Sequence, residues 1–182
     1  KGTPQENYAR EVMELFTMGV GHFTEEDVKS AARVFTGWNL RGTRAGTIKV
    51  GDRQYRIAQH AFFYDPRQHD VGEKVFTFPM YASGPRPNVI PVRDATTGAL
   101  DGLDFLDALL RHPATPRFLG AKLYRFFVND AAEPPASEVG AIAGWLQSTN
   151  YDMRAVLERI FKSEFFLAPA HFGARYRWPI EH

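Results

Sequence analysis

The stretch that most constrains this chain runs from Gln5 to Phe16. Tyr8, Val12, Leu15 and Phe16 follow the i, i+4, i+7, i+8 spacing of one helix face and predict an apolar stripe. Asn7, Glu11, Glu14 and Met18 fall on the neighbouring stripe, with Arg10 one turn before Glu14. Glu11 stands roughly 60° from Tyr8 at 100° per residue. A carboxylate at a core edge needs a partner, so Glu11 is the first candidate for a polar site. The expectation is a fold packed around the stripe from Tyr8 to Phe16.

Pro4 suits the first turn of that helix, and Gly19 or Gly21 suits its end. Thr24 and Asp27 form a capping-box pattern with Asp in place of Glu, opening a second helix. Val28, Ala31, Ala32, Phe35 and Trp38 continue it at helical spacing, with Gly37 near its end. Residues 1–38 thus read as a helix pair.

The middle changes character. Gly51-Asp52 lies between β-prone runs and signals a hairpin turn. Ala61 to Tyr64 and Val75 to Phe78 read as further short strands, and Asp65 to Gln68 as a turn. Residues 46–78 therefore form a small antiparallel β insertion. Residues 79–97, rich in Pro and Gly, read as a long loop. Helical spacing returns over 98–166. Leu100 to Leu110 make one helix, His112-Pro113 breaks it, and Phe118 to Phe127 make the next. Two more helices carry Val139 to Leu146 and Met153 to Phe161, with Asn150 to Asp152 as turn and cap. Residues 167–182 form a mixed basic and aromatic tail. The fold class is mainly α: one multi-helix domain over 1–182 with the β insertion. Both ends read as cuts through a longer chain.

Composition narrows the chemistry. Twenty-two Lys and Arg against 21 Asp and Glu give a net charge of +1, with no global pull towards nucleic acid or an anionic membrane. Without cysteine there is no disulfide, thiolate metal site or Cys nucleophile. No apolar run reaches the ~20 residues of a membrane-spanning helix. No serine sits in a nucleophile elbow. The segment Gly98 to Gly102 lacks the Lys and the preceding strand of a phosphate loop. The run Arg175 to Trp178 interleaves basic and aromatic residues as single-strand binders do, but at this net charge it reads as a packing joint.

Three readings compete for the polar residues. In the first, Glu11, Glu14 and His69 hold a divalent metal ion, with His22 as a further ligand; oxygen and imidazole donors suit hard or borderline cations. In the second, Glu11, His69 and Asp70 are catalytic, two carboxylates with split pKa values flanking a proton shuttle. Tyr64, Tyr81, Trp38 and Trp178 would then stack on sugar faces. In the third, the same residues are a salt-bridge clasp: Glu6, Asn7, Glu11 and Glu14 with Arg10, Arg33 and Lys74, pinning the insertion to the helices.

Four ordered blocks carry a family resemblance. The segment Gln5 to Leu15 is similar to the Asn-Glu-Asn-Tyr-Ala-Arg-Glu block of the bacterial domain-of-unknown-function family number 1800. Thr24 to Trp38, His69 to Phe76, and His112 to Thr115 with the helix after it match in order. Gln5 departs from the family's first Asn. The resemblance is to the central and C-terminal part of the family domain, so flanking parts of the chain are expected to be missing. It implies an exported protein without an established activity. It also implies, as a partner, a sulfatase-related protein encoded nearby in relatives. The functional expectation is a carboxylate and histidine site acting in metal-dependent or acid-base hydrolysis. The alternative is a non-enzymatic scaffold or partner-binding domain whose polar motif is a clasp.

Overall fold

In the computed structural model, residues 3–50 and 52–173 are described; the run Arg175 to Trp178 lies outside them. Seven α-helices and two small antiparallel sheets occupy the described residues, so the chain is mainly α. The chain divides into two compact units: Lys1–Arg10 with Phe23–Ala108, and Glu11–His22 with Leu109–His182. Helices α1 (Glu6–Glu14) and α3 (Ala99–Arg111) each contribute residues to both.

The first helix corrects the expected stripe. Its buried residues are Ala9, Val12 and Met13, while Tyr8, Leu15 and Phe16 are exposed. The helix stops at Glu14, and Met18 and Gly19 both donate to the Met13 carbonyl, closing it off. Leu15 and Phe16 have therefore left the helical face on which their spacing placed them. On a buried face centred on Ala9, Val12 and Met13, Glu11 falls on the far side and is exposed.

In the first unit, helix α2 (Glu25–Val34) opens on the expected capping box. Thr24 Oγ1 accepts from Asp27 N at 3.2 Å, and Asp27 Oδ2 accepts from Thr24 N at 2.7 Å. Such a cap is worth about 1 kcal/mol. The buried Asp27 carboxylate also accepts from the backbone and hydroxyl of Thr77, each at 2.7 Å. The helix ends at Val34, earlier than the spacing of Phe35 and Trp38 suggests. Gly37, at φ +82°, turns the chain through the left-handed region, and Trp38 begins a strand.

That strand, β1 (Trp38–Val50), pairs antiparallel with β2 (Arg53–Tyr64) from Trp38↔Tyr64 to Val50↔Arg53, with a bulge between Gly42 and Arg44. Of the expected turn Gly51-Asp52, Gly51 lies outside the described residues. The ribbon begins eight residues earlier than expected, and Ala61 to Tyr64 belong to its second strand. A short 3-10 turn over Pro66–Gln68, capped by Asp65, follows. Strand β3 (Lys74–Val75) pairs with β4 (Val89–Ile90), which lies inside the expected long loop. Ser30 of α2 donates to the Val75 carbonyl at 2.7 Å. Phe35, Phe76, Phe78, Met80, Ile90 and Phe105 are buried, with Phe105 in ring contact with Phe35, Phe76 and Phe78.

In the second unit, α4 (Ala114–Phe127), α5 (Ala136–Ser148) and α6 (Met153–Phe161) enclose a core of Tyr124, Val128, Ile142, Leu146, Val156 and Ile160. A Cβ on Gly120 would stand 3.0 Å from the Val139 carbonyl oxygen, so glycine lets α4 and α5 approach closely. Asp152 caps α6 as expected, accepting from Arg154 N and Ala155 N. The short α7 (Glu164–Leu167) brings Phe165 and Phe166 onto this core.

Candidate functional site

The polar centre of the first unit is built on Asp101, in the first turn of α3. Its side chain, with those of His69 and Lys74, is fully closed to solvent. Lys74 Nζ donates to Asp101 Oδ2 at 2.6 Å and to the Asp70 carbonyl at 2.5 Å. His69 Nε2 stands 3.3 Å from the same Asp101 oxygen, an ion-pair distance without the alignment of a hydrogen bond. Arg93 Nε lies 3.4 Å from Asp101 Oδ1. One buried carboxylate is thus faced by an ammonium, an imidazole and a guanidinium.

His69 is fixed from its other side. Its Nδ1 is 2.9 Å from the Thr36 carbonyl and 3.3 Å from Thr36 Oγ1. The Thr36 hydroxyl gives its own hydrogen to the Arg33 carbonyl at 2.6 Å, so Nδ1 carries the ring hydrogen and donates. Thr36 Oγ1 also accepts from the Asp70 backbone at 2.8 Å. The residues that close the C-terminal end of α2 therefore fix the hydrogen on Nδ1 and the position of the ring.

Asp70 takes a two-pronged bond from Arg33, Nε to Oδ2 at 2.7 Å and Nη2 to Oδ1 at 3.0 Å, and accepts from Gly72 N at 2.9 Å. The Arg33 guanidinium holds the Asp70 carboxyl below the ordinary carboxylate range. Arg93 continues outward, pairing with Asp104 and donating to Tyr81 Oη at 3.1 Å. Tyr81 donates to Asp104 at 2.9 Å, and burial with that bond pushes its phenol up to about 12.

Glycines make the room. A Cβ on Gly98 would stand 2.1 Å from His69 Cδ2 and 2.4 Å from Tyr64 Oη. At φ −60° Gly98 has an ordinary backbone, so space and not conformational freedom calls for glycine there. A Cβ on Gly102 would stand 2.2 Å from the Trp38 ring. Gly98 immediately precedes α3, and Gly102 lies in it, so both leave room at the start of that helix for His69 and Trp38.

Of the sequence-derived residues, the structure brings together His69, Asp70, Arg33 and Lys74. Arg33 and Lys74 stand in this cluster with Asp70 and Asp101 as their acidic partners, and Arg93 joins them. Arg10 pairs with Glu25 at 2.6 Å. Glu6, Asn7 and Glu11 are exposed, and Glu14 is half-buried. Glu11, Glu14 and His22 belong to the second unit, where the exposed His22 ring lies 5.9 Å from that of His112. Among the described residues no group of three or more His, Asp or Glu is placed to hold a metal ion. Tyr64 and Tyr81, expected on sugar faces, use their hydroxyls on the Ala95 carbonyl and Asp104.

A second feature lies at the ribbon's base. Tyr8, Phe35, Trp38, Leu40 and Phe62, with Asn39, line a groove of about 560 Å³. Tyr8, Phe35, Trp38 and Phe62 meet in successive edge-to-face ring contacts of 5.0–5.3 Å. Tyr8, Leu40 and Phe62 remain 50%, 71% and 56% exposed, an open apolar surface beside the closed polar one.

This is a mainly helical protein with a closed ion cluster and an open aromatic groove beneath a β-ribbon. The chain belongs to the family described as protein of unknown function (DUF1800), whose sequence model matches residues 1–182. No curated protein and no solved structure matches the chain. No helix among the described residues is long and apolar enough to cross a membrane.

Proposed function

We propose that the chain is a non-enzymatic partner-binding domain in which the His69, Lys74 and Asp101 cluster is a structural clasp and the groove is the working surface. The observation that carries this is the complete closure of those three side chains. A general base or nucleophile must reach the atom it acts on, and no route to Asp101 or His69 Nε2 is open. The Lys74 ammonium already occupies the oxygen that His69 faces, so a metal ion there would meet a cation. The groove has the opposite character: exposed aromatic and aliphatic side chains on a base of ring contacts suit the apolar side chains of an extended protein segment.

The test is a Leu40→Ser, Phe62→Ser double variant. It is expected to keep the wild-type unfolding curve and lose binding of a neutral Leu- and Phe-rich peptide. Binding equal to wild type would remove the groove from the account. We further place the protein outside the cytoplasm, on the resemblance alone, with a sulfatase-related protein as the partner to try first. Recovery of the native protein in the cytosol would count against that placement.

A further inference from the structure

We propose that the β1–β2 ribbon receives an acidic, extended polypeptide, which adds along it as a third strand and seats apolar side chains in the groove at its base. This rests on the partner-binding reading and names the partner's chemistry. Residues 38–64 carry Arg41, Arg44, Lys49, Arg53 and Arg56 against one carboxylate, Asp52. The rest of the chain holds 17 Lys and Arg against 20 Asp and Glu. A nearly neutral protein therefore carries its excess of positive over negative charge in this segment. Arg41, Lys49 and Arg53 are exposed there.

Among the described residues the sheet is two-stranded, so each strand keeps one edge whose N–H and C=O groups no other strand takes up. An isolated ribbon of this kind is marginal in water and gains by a third strand. Charge decides what that strand is. A second copy would set cation against cation, which opposes ribbon-to-ribbon pairing. A nucleic acid could answer the charge but not the open ladder of amides. Polypeptide alone answers both. The ribbon's base, Trp38 to Leu40 and Phe62, is itself part of the groove, so one extended segment can use the edge and the groove together.

The experiment uses the whole chain and synthetic peptides that alternate Glu and Val and end in Leu-Phe. Binding is read by fluorescence anisotropy, and ribbon protection by hydrogen exchange. The acidic peptide is expected to bind and to slow exchange over residues 38–64. The same peptide N-methylated at alternate residues is expected not to bind. An Arg41→Glu, Lys49→Glu, Arg53→Glu variant is expected to weaken binding by about tenfold, the worth of three exposed ion pairs. Equal binding of the N-methylated peptide, binding unaltered by charge reversal, or tighter binding of a single-stranded oligonucleotide overturns the third strand. A Glu→Gln peptide that binds as well as the acidic one overturns the acidic partner but leaves the groove reading standing. Failure of every peptide removes both.

Discussion

Lys74 Nζ lies 2.6 Å from Asp101 Oδ2, and neither side chain touches solvent. Twenty-seven residues separate them, and through them the segment after the ribbon is tied to α3. Removing the Asp101 carboxylate leaves the buried Lys74 ammonium without its counter-charge, and removing Lys74 leaves Asp101 only the longer contacts to Arg93 and His69, each at a cost of about 3–5 kcal/mol. Asp101→Asn and Lys74→Met are each expected to lose stability of that order in chemical denaturation. The double variant Lys74→Met, Asp101→Leu is expected to recover much of it, because an apolar pair of similar volume leaves no orphaned charge.

Gly98→Ala tests the packing of the same centre. A Cβ there meets the His69 ring and the Tyr64 hydroxyl well inside contact distance, so a loss of about 1–3 kcal/mol is expected from overpacking. Gly144→Ala is the control. Gly144 sits in α5 with nothing near its Cβ position, and this change is expected to stabilise by about 0.5–1 kcal/mol through helix propensity. Thermal unfolding of both variants checks the pair.

Acid should open the Arg33 to Asp70 contact. The folded-state pKa of Asp70 is depressed, chiefly by its bonds from Arg33. Its contribution is therefore present above the ordinary carboxylate value of about 4 and is lost as pH falls below it. Asp70→Asn is expected to flatten the acid side of the stability curve, measured by urea denaturation at stepped pH. A variant curve parallel to wild type in acid would remove Asp70 from the linkage.

Alkali acts on Tyr81 with the opposite sign. Its phenol is raised to about 12, so the folded state holds that proton while the unfolded chain releases it near 10. The contribution is full below about pH 10 and is lost as pH rises towards 12. In ultraviolet titration of tyrosinate, Tyr81→Phe is expected to remove one late-ionising phenol.

The fold was legible where its signals are local. Thr24 and Asp27 stand three residues apart and announce the cap; His112-Pro113 announces the break between α3 and α4. The ribbon's start was hidden because Phe35 and Trp38 continue the helical spacing of Ala31, and only the left-handed Gly37 shows that the helix has already ended. The stripe from Tyr8 was misplaced because Ala9 carries little hydrophobic weight yet lies at the centre of the buried face.

In the site, His69, Asp70, Arg33 and Lys74 were legible as polar residues in ordered blocks. Asp101 was not, since pairing across 27 residues leaves no spacing to read. Its trace was the pattern Gly98, Asp101, Gly102, two glycines and an acid at the start of one helix, which resembles a failed phosphate loop until the rings packed on those glycines are seen.

The most direct test of the clasp is elemental mass spectrometry of the purified protein together with thermal unfolding of His69→Ala and Glu11→Ala. The account expects no stoichiometric metal ion, a marked loss of stability in His69→Ala, and a melting temperature near wild type in Glu11→Ala. A stoichiometric ion that disappears in both variants would contradict it and make the cluster part of a metal site.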